Sequence, residues 1–277
     1  MHVARTWLVA GLVALSLAGC TARGALVGGL TAAQALFLSA DDERRIGAQT
    51  RDEMLGRYPR LEDPAVQAYV QGLGAQLVPR IGEAGFTWEW HVIDTPEVNA
   101  FAAPAGYVFV TTGALRLMRS EAQLVGVLGH EVAHVVKHHA LDGIRKGLLA
   151  QGVTVSVLGE DASQLAQLGA KLAATLVLKH GDRSQELESD TLGATWAYEL
   201  GYDPRELGAF LDALAQQGGE PAPWVAWLSD HPGSNERLAA IEALVRERGM
   251  DLARTRTGTD AYGAAVLARL AEPPAGP

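Results

Sequence analysis

The stretch Leu124-Val125-Gly126-Val127-Leu128-Gly129-His130-Glu131-Val132-Ala133-His134 decides the fold. Its first six residues are apolar on every side, which marks a helix buried all round rather than one lying on a surface. His130 and His134 stand four apart. On a helix that spacing sets both imidazoles on one face, one turn above the other, where they can share a tetrahedral cation. Glu131 lies beside them, placed to take a proton from a water held by that cation. Short motifs of this kind also arise by chance, so the reading depends on a third ligand elsewhere in the chain.

The run Arg183-Ser184-Gln185-Glu186-Leu187-Glu188-Ser189-Asp190 supplies one. Asp182 followed by Gln185 resembles a capping box, which predicts a helix running to Leu200 and stopping at Gly201. Glu186 and Asp190 then share one face of its opening turns. Glu186 is the candidate third metal ligand, and Asp190 the candidate acceptor for the N–H of a liganding histidine. Without the upstream histidines the same residues would read as a solvated acidic face. His138 and His139 read as a helix-end cap or structural contacts, because a continuous helix carries His138 too far along its axis to converge on the same ion.

Working outward, Ile46, Met54, Leu55, Val66, Tyr69, Val70, Leu73 and Leu77 recur at spacings that fit two amphipathic helices, with Asp63-Pro64 as cap and first turn of the second. Phe86, Trp88, Trp90 and Val92 alternate with polar neighbours and predict a strand with one buried face. A second strand, Tyr107 to Thr112, follows the Pro104-Ala105-Gly106 turn. Beyond Ser120 the chain reads as helical almost to its end, and Leu148 to Leu178 as helices that partly cover the site. The predicted class is α+β, predominantly helical, with a small sheet. The unit spans residues 41–250, preceded by a tether over 20–40 and followed by a tail over 251–277 that carries no legible chemistry.

Residues 1–19 have the three parts of an export signal: Arg5, an apolar run from Trp7 to Leu17, and small residues before Cys20. Leu17-Ala18-Gly19-Cys20 resembles a bacterial lipobox, which implies lipidation of Cys20. With that sole cysteine consumed no disulfide can form. Thr21 rather than Asp after the cysteine implies the outer membrane, facing the periplasm. The formal charge of -9 offers no basic face for nucleic acid.

Over roughly residues 41–248 the sequence resembles the CAAX prenyl endopeptidase and HtpX-type family of zinc metallopeptidases. The residues that carry this are Val98-Asn99-Ala100-Phe101 leading through Pro104-Ala105-Gly106 to Tyr107-Val108-Phe109-Val110, then HEVAH with Val135 and His139, Glu186 with Asp190, and Gly201-Tyr202-Asp203-Pro204. Ser189 stands where the family usually has alanine, and Ala105 where it has glycine. The likeness is greatest to periplasmic lipoprotein members, without the C-terminal helical repeats of some of them.

The resemblance implies a gluzincin-like peptidase with one Zn²⁺ per chain and Glu131 as general base. It also implies that His231, in His231-Pro232, approaches the metal from a loop as a fourth ligand or gate, and that Arg237 lies in the site, with a transition-state role among its options. Tyr107, Val108, Phe109 and Val110 are expected to form the sheet edge along which an extended peptide pairs. The expected partners are unfolded or misassembled envelope proteins, the membrane through the Cys20 lipid, and outer-membrane assembly machinery. The rival reading is a metal-stabilised chaperone or assembly factor at that membrane.

Overall fold

A computed structural model describes residues 38–82, 85–150, 171, 182–216 and 234–271. The export signal, Cys20, most of the tether, His231 and most of the covering segment from Leu148 to Leu178 lie outside the described residues.

Helix α1 (Ala40–Arg57) opens with a reciprocal capping box between Ser39 and Asp42. It buries Glu43, Ile46, Gly47, Thr50 and Met54, a stripe at helical spacing. Helix α2 (Pro64–Leu77) starts as its sequence predicts, with Asp63 accepting from the amides of Ala65 and Val66 and proline in the first turn. Strands β1 (Glu89–Ile93), β2 (Ala100–Ala103) and β3 (Tyr107–Thr111) form one sheet in the order β1-β3-β2, with β3 parallel to β1 and antiparallel to β2.

Two expectations change here. First, β1 does not alternate between a buried and a wet face, because Trp90, His91, Val92 and Ile93 are all buried. One face of the sheet, with Trp90, Val92, Val108 and Val110, joins the main core, while Ile93, Phe101 and Phe109 pack on Met54 of α1. Second, Tyr107, Val108, Phe109 and Val110 are not an edge. They lie in the central strand, paired on both sides, since β2 folds back as an antiparallel partner on the flank of β3 that β1 leaves open. Among the described residues the outer flank of β2 carries no further strand. That of β1 is closed by the chain itself: Leu61 N–H and Gln67 Nε2 both donate to the Val92 carbonyl at 3.0 Å, and Gln67 Oε1 accepts the Val92 N–H at 3.1 Å.

After the short α3 (Thr112–Leu117), helix α4 (Glu121–Val136) begins on Ser120, whose hydroxyl accepts from the Gln123 amide. Every residue of α4 from Ala122 to Val135 is buried, as its all-round apolar sequence requires. Helices α5 (His139–Ala150), α6 (Arg183–Glu199), α7 (Arg205–Gln216) and α8 (Ser234–Glu247) follow. Asp182 caps α6 by accepting from the Ser184 amide, and Gly201 ends it at a φ of 80°. The chain does not end its folded part at residue 250. A helical run from Thr259 to Ala271 buries Tyr262, Val266 and Leu270 in the main core, and the Tyr262 hydroxyl donates to the Leu115 carbonyl at 2.6 Å. The apolar spacing of those three residues carried this signal.

Candidate metal centre

Helices α4 and α6 cross at a pair of glycines. A Cβ on Gly193 would stand 2.7 Å from the backbone nitrogen of His130, and one on Gly129 3.0 Å from the Cα of Gly193. No side chain fits there, so the two backbones touch. Ligand-bearing turns on separate helices thus come within reach of one another.

His130 Nε2 lies 3.0 Å from His134 Nε2 and 3.4 Å from Glu186 Oε2, and His134 Nε2 lies 3.4 Å from Glu186 Oε1. A tetrahedral zinc with bonds of about 2.0–2.2 Å holds its ligand atoms about 3.3–3.6 Å apart. The three donors therefore already surround a zinc-sized position, each of them buried. Charge gives an independent test of fit. Glu131, Glu186 and Asp190 are buried carboxylates, and among the described residues Arg237 is the one buried guanidinium beside them. Among these described residues the formal excess is two negative charges, a balance that suits a dication.

The supporting contacts orient the ligands. His130 Nδ1 faces Asp190 Oδ1 at 2.9 Å, as the sequence predicts for the carboxylate one turn beyond Glu186. Arg237 grips Asp190 in bidentate fashion, Nε to Oδ2 at 2.6 Å and Nη2 to Oδ1 at 2.7 Å, and its Nη1 reaches Glu186 Oε2 at 3.1 Å. One arginine thus ties the third-ligand carboxylate to the carboxylate that orients His130. This makes Arg237 a positioning residue of the site. Burial pushes the Asp190 carboxyl up, but Arg237 and His130 outweigh it and hold Asp190 below the usual carboxylate range. Burial disfavours a charged His130, yet Asp190 and Glu186 push its pKa up to about 9, so the site draws a cation even as a bare proton.

His138 and His139 mark a helix end and make structural contacts, as the sequence predicts, but the partner of His139 is a candidate ligand. The chain breaks at His138, whose φ of 56° is left-handed and costs a non-glycine residue roughly 1–2 kcal/mol. His138 Nδ1 is held at 3.0 Å by Glu43, the buried acid on the α1 stripe. His139 swings under His134, Nδ1 to Nδ1 at 2.9 Å, and its Nε2 faces Glu188 at 3.3 Å. Burial holds the His139 pKa below that of an ordinary histidine despite Glu188. Sequence reasoning missed Glu43, whose signal is an acid in register with Ile46, Thr50 and Met54; the left-handed turn at His138 has no glycine or proline to announce it. His231 lies outside the described residues, while Tyr107, Val108, Phe109 and Val110 are in the central strand.

A buried His-Glu-x-x-His helix, a glutamate from a second helix that completes a candidate zinc site, and an acid beside the first histidine are the pattern of a zinc metallopeptidase of the gluzincin type. The family described as "Peptidase family M48" matches residues 64–245, more than half of the chain. The chain belongs to this family, whose members are zinc-dependent metallopeptidases. It is similar to the mitochondrial metalloendopeptidase OMA1 of Arabidopsis thaliana, 32% identical over 64% of this chain and 37% of the relative. It is also similar to OMA1 of Schizosaccharomyces pombe, 28% identical over 76% of this chain and 63% of the relative. The beta-barrel assembly-enhancing protease of Escherichia coli (strain K12) is 28% identical over 73% of this chain and 43% of the relative. The chain thus spans between about a third and two thirds of the length of these relatives.

Proposed function

We propose that this chain is a zinc-dependent endopeptidase that cleaves unfolded or misassembled proteins of a bacterial cell envelope. The observation that carries the reading is the outer flank of β2, beside the candidate ligand helix, which pairs with no further strand among the described residues. Ala102, Ala103 and Pro104 at the end of β2 line one cleft with His134 and Val135 of α4. An extended peptide pairing there through backbone hydrogen bonds is held next to the metal position whatever its side chains, which suits a substrate recognised by being unfolded. The template role expected of the central strand passes to its neighbour.

Bound Zn²⁺ supplies Lewis-acid polarisation of the scissile carbonyl and a more acidic water. The chain's own residues do the rest. Glu131 takes a proton from the attacking water and returns it to the leaving amine. Asp190 fixes the ring of His130, and Arg237 keeps Asp190 ionised and holds Asp190 and Glu186 in place. The lipobox-like Leu17-Ala18-Gly19-Cys20 supports tethering by lipid at the outer membrane, facing the periplasm. The name of the Escherichia coli relative supports a setting in β-barrel assembly. On this reading His231 is a fourth ligand that substrate displaces.

The mature protein is expected to carry one zinc and to cleave casein. Glu131→Gln should retain zinc and lose roughly 100-fold or more in rate, the scale of a lost general base. Equal cleavage by both proteins would sink the assignment. Cys20→Ser should move the protein from the membrane fraction to the soluble one; unchanged fractionation refutes the anchor.

A further inference from the structure

We propose that His139, set by Glu188, is the residue that keeps the second histidine ligand in its metal-ready tautomer. His134 turns Nε2 toward the other two ligands, 3.0 Å from His130 Nε2 and 3.4 Å from Glu186 Oε1, and so leaves Nδ1 for His139 at 2.9 Å. Two imidazole nitrogens at that distance share one hydrogen, and which ring carries it decides what His134 can do. If His139 Nδ1 carried it, His134 would accept on Nδ1, keep its own proton on Nε2 and present no lone pair to a cation. If His134 Nδ1 carries it, Nε2 is bare and ready.

Glu188 selects the second arrangement. Its Oε2 lies 3.3 Å from His139 Nε2, and a carboxylate there can only accept, so His139 holds its proton on Nε2 and offers a bare Nδ1 to His134. Lys137 Nζ, 2.5 Å from Glu188 Oε1, keeps that carboxylate ionised and in position. Lys137 and His139 then both donate to Glu188, and His134 donates to His139. The two histidine ligands are served differently: His130 by a buried carboxylate, His134 by a neutral ring that passes the demand outward to a half-exposed one.

The backbone is arranged for this contact. Were α4 to continue, His139 would stand about 140° around the axis from His134 and could not face it. The left-handed His138 ends α4, and His139 opens α5 beneath the ligand. The aromatic contact between the rings, with centroids 4.9 Å apart and planes at 73°, follows from the same turn.

The proposal rests on His134 being a metal ligand, so the test separates the two ideas. Zinc affinity of the purified protein is measured by chelator competition, with unfolding of the metal-free form as the check on folding. His134→Ala is expected to lose zinc; retention there overturns the site itself. His139→Ala is expected to weaken zinc binding about 10- to 100-fold. His139→Asn, whose side-chain oxygen can accept from His134 Nδ1, should recover most of that loss. Glu188→Ala should weaken binding in the same direction by less. In cobalt-substituted protein the visible absorption should shift in His139→Ala and return toward wild type in His139→Asn. Wild-type zinc affinity in His139→Ala, or an equal loss in His139→Ala and His139→Asn, overturns the proposal.

Discussion

Replacing Gly193 by alanine tests whether the helix crossing builds the metal site. The added Cβ would stand 2.7 Å from the backbone nitrogen of His130 and 3.1 Å from the carbonyl oxygen of Gly126, where ordinary contact begins at 3.4 Å. These are backbone atoms of α4, so relief requires the helices to part by about 0.7 Å rather than a side chain to turn aside. Two stability effects oppose one another. Overpacking costs about 1–3 kcal/mol, and alanine's better helix propensity returns about 1 kcal/mol. The net loss of about 1 kcal/mol corresponds to a fall in Tm of roughly 2–4 °C for a domain of this size. The site has less latitude, because metal–ligand distances tolerate only about 0.2 Å. Zinc affinity should therefore fall about 10-fold or more while the protein stays folded. Gly72→Ala on α2 is the control: nothing lies within 4 Å of its added Cβ, and it should raise stability by about 1 kcal/mol. Thermal unfolding and chelator competition read both variants. Wild-type zinc affinity in Gly193→Ala would refute the idea that glycine-mediated contact sets the ligand geometry.

Other outcomes follow from the same contacts. Arg237→Met leaves Asp190 and Glu186 buried without their counter-ion, and should cost about 3–5 kcal/mol in the metal-free protein by urea unfolding. That penalty should shrink when zinc is added, since the ion neutralises the same carboxylates; an equal penalty with and without zinc contradicts the charge balance. Chelation of wild type should reversibly lower its stability by about 2.7 kcal/mol, read as a fall in Tm, when zinc is present at about 100 times its Kd. Tyr262→Phe removes the bond to the Leu115 carbonyl and should cost about 1 kcal/mol, with a much larger loss on truncation after residue 250. A truncated chain as stable as the whole would show that the final helices are not part of the core.

The metal site was more legible than the sheet, for a physical reason. Ligands on helices announce themselves through fixed local spacing: four residues from His130 to His134 and four from Glu186 to Asp190. Caps at Ser120 and Asp182 and the stop at Gly201 are equally local, and the helices begin and end by them. Strand order is not local. Nothing in Tyr107 to Thr111 reveals that Ala100 to Ala103 will cover one of its flanks, and burial of both sheet faces erases the alternation that would have shown which side is wet. His139 was hidden for a third reason. Its contact depends on a left-handed turn at a histidine, a conformation that sequence statistics assign to glycine or asparagine.

The unequal flanks of the sheet bear on the substrate. An unpaired strand flank invites aggregation, and chains usually block it with side chains, bulges or a covering segment. Here β1 is blocked by both ends of the Gln67 amide and by the Leu61 N–H, all converging on Val92, and Asp94 N–H donates to the Pro59 carbonyl just beyond. Among the described residues β2 receives no such treatment, although it is the strand that ends against His134 and Val135. Its residues, three alanines and a phenylalanine, are buried backbone and all, so an extended partner can reach this flank only once it is uncovered. A flank of backbone donors and acceptors selects for an extended partner and is indifferent to its sequence. The chemistry beside it, three ligands and Glu131, acts on the peptide bond, which every extended chain carries. On the proposed function, template and site read the same feature of a polypeptide, its main chain, and specificity is left to whether that main chain is accessible.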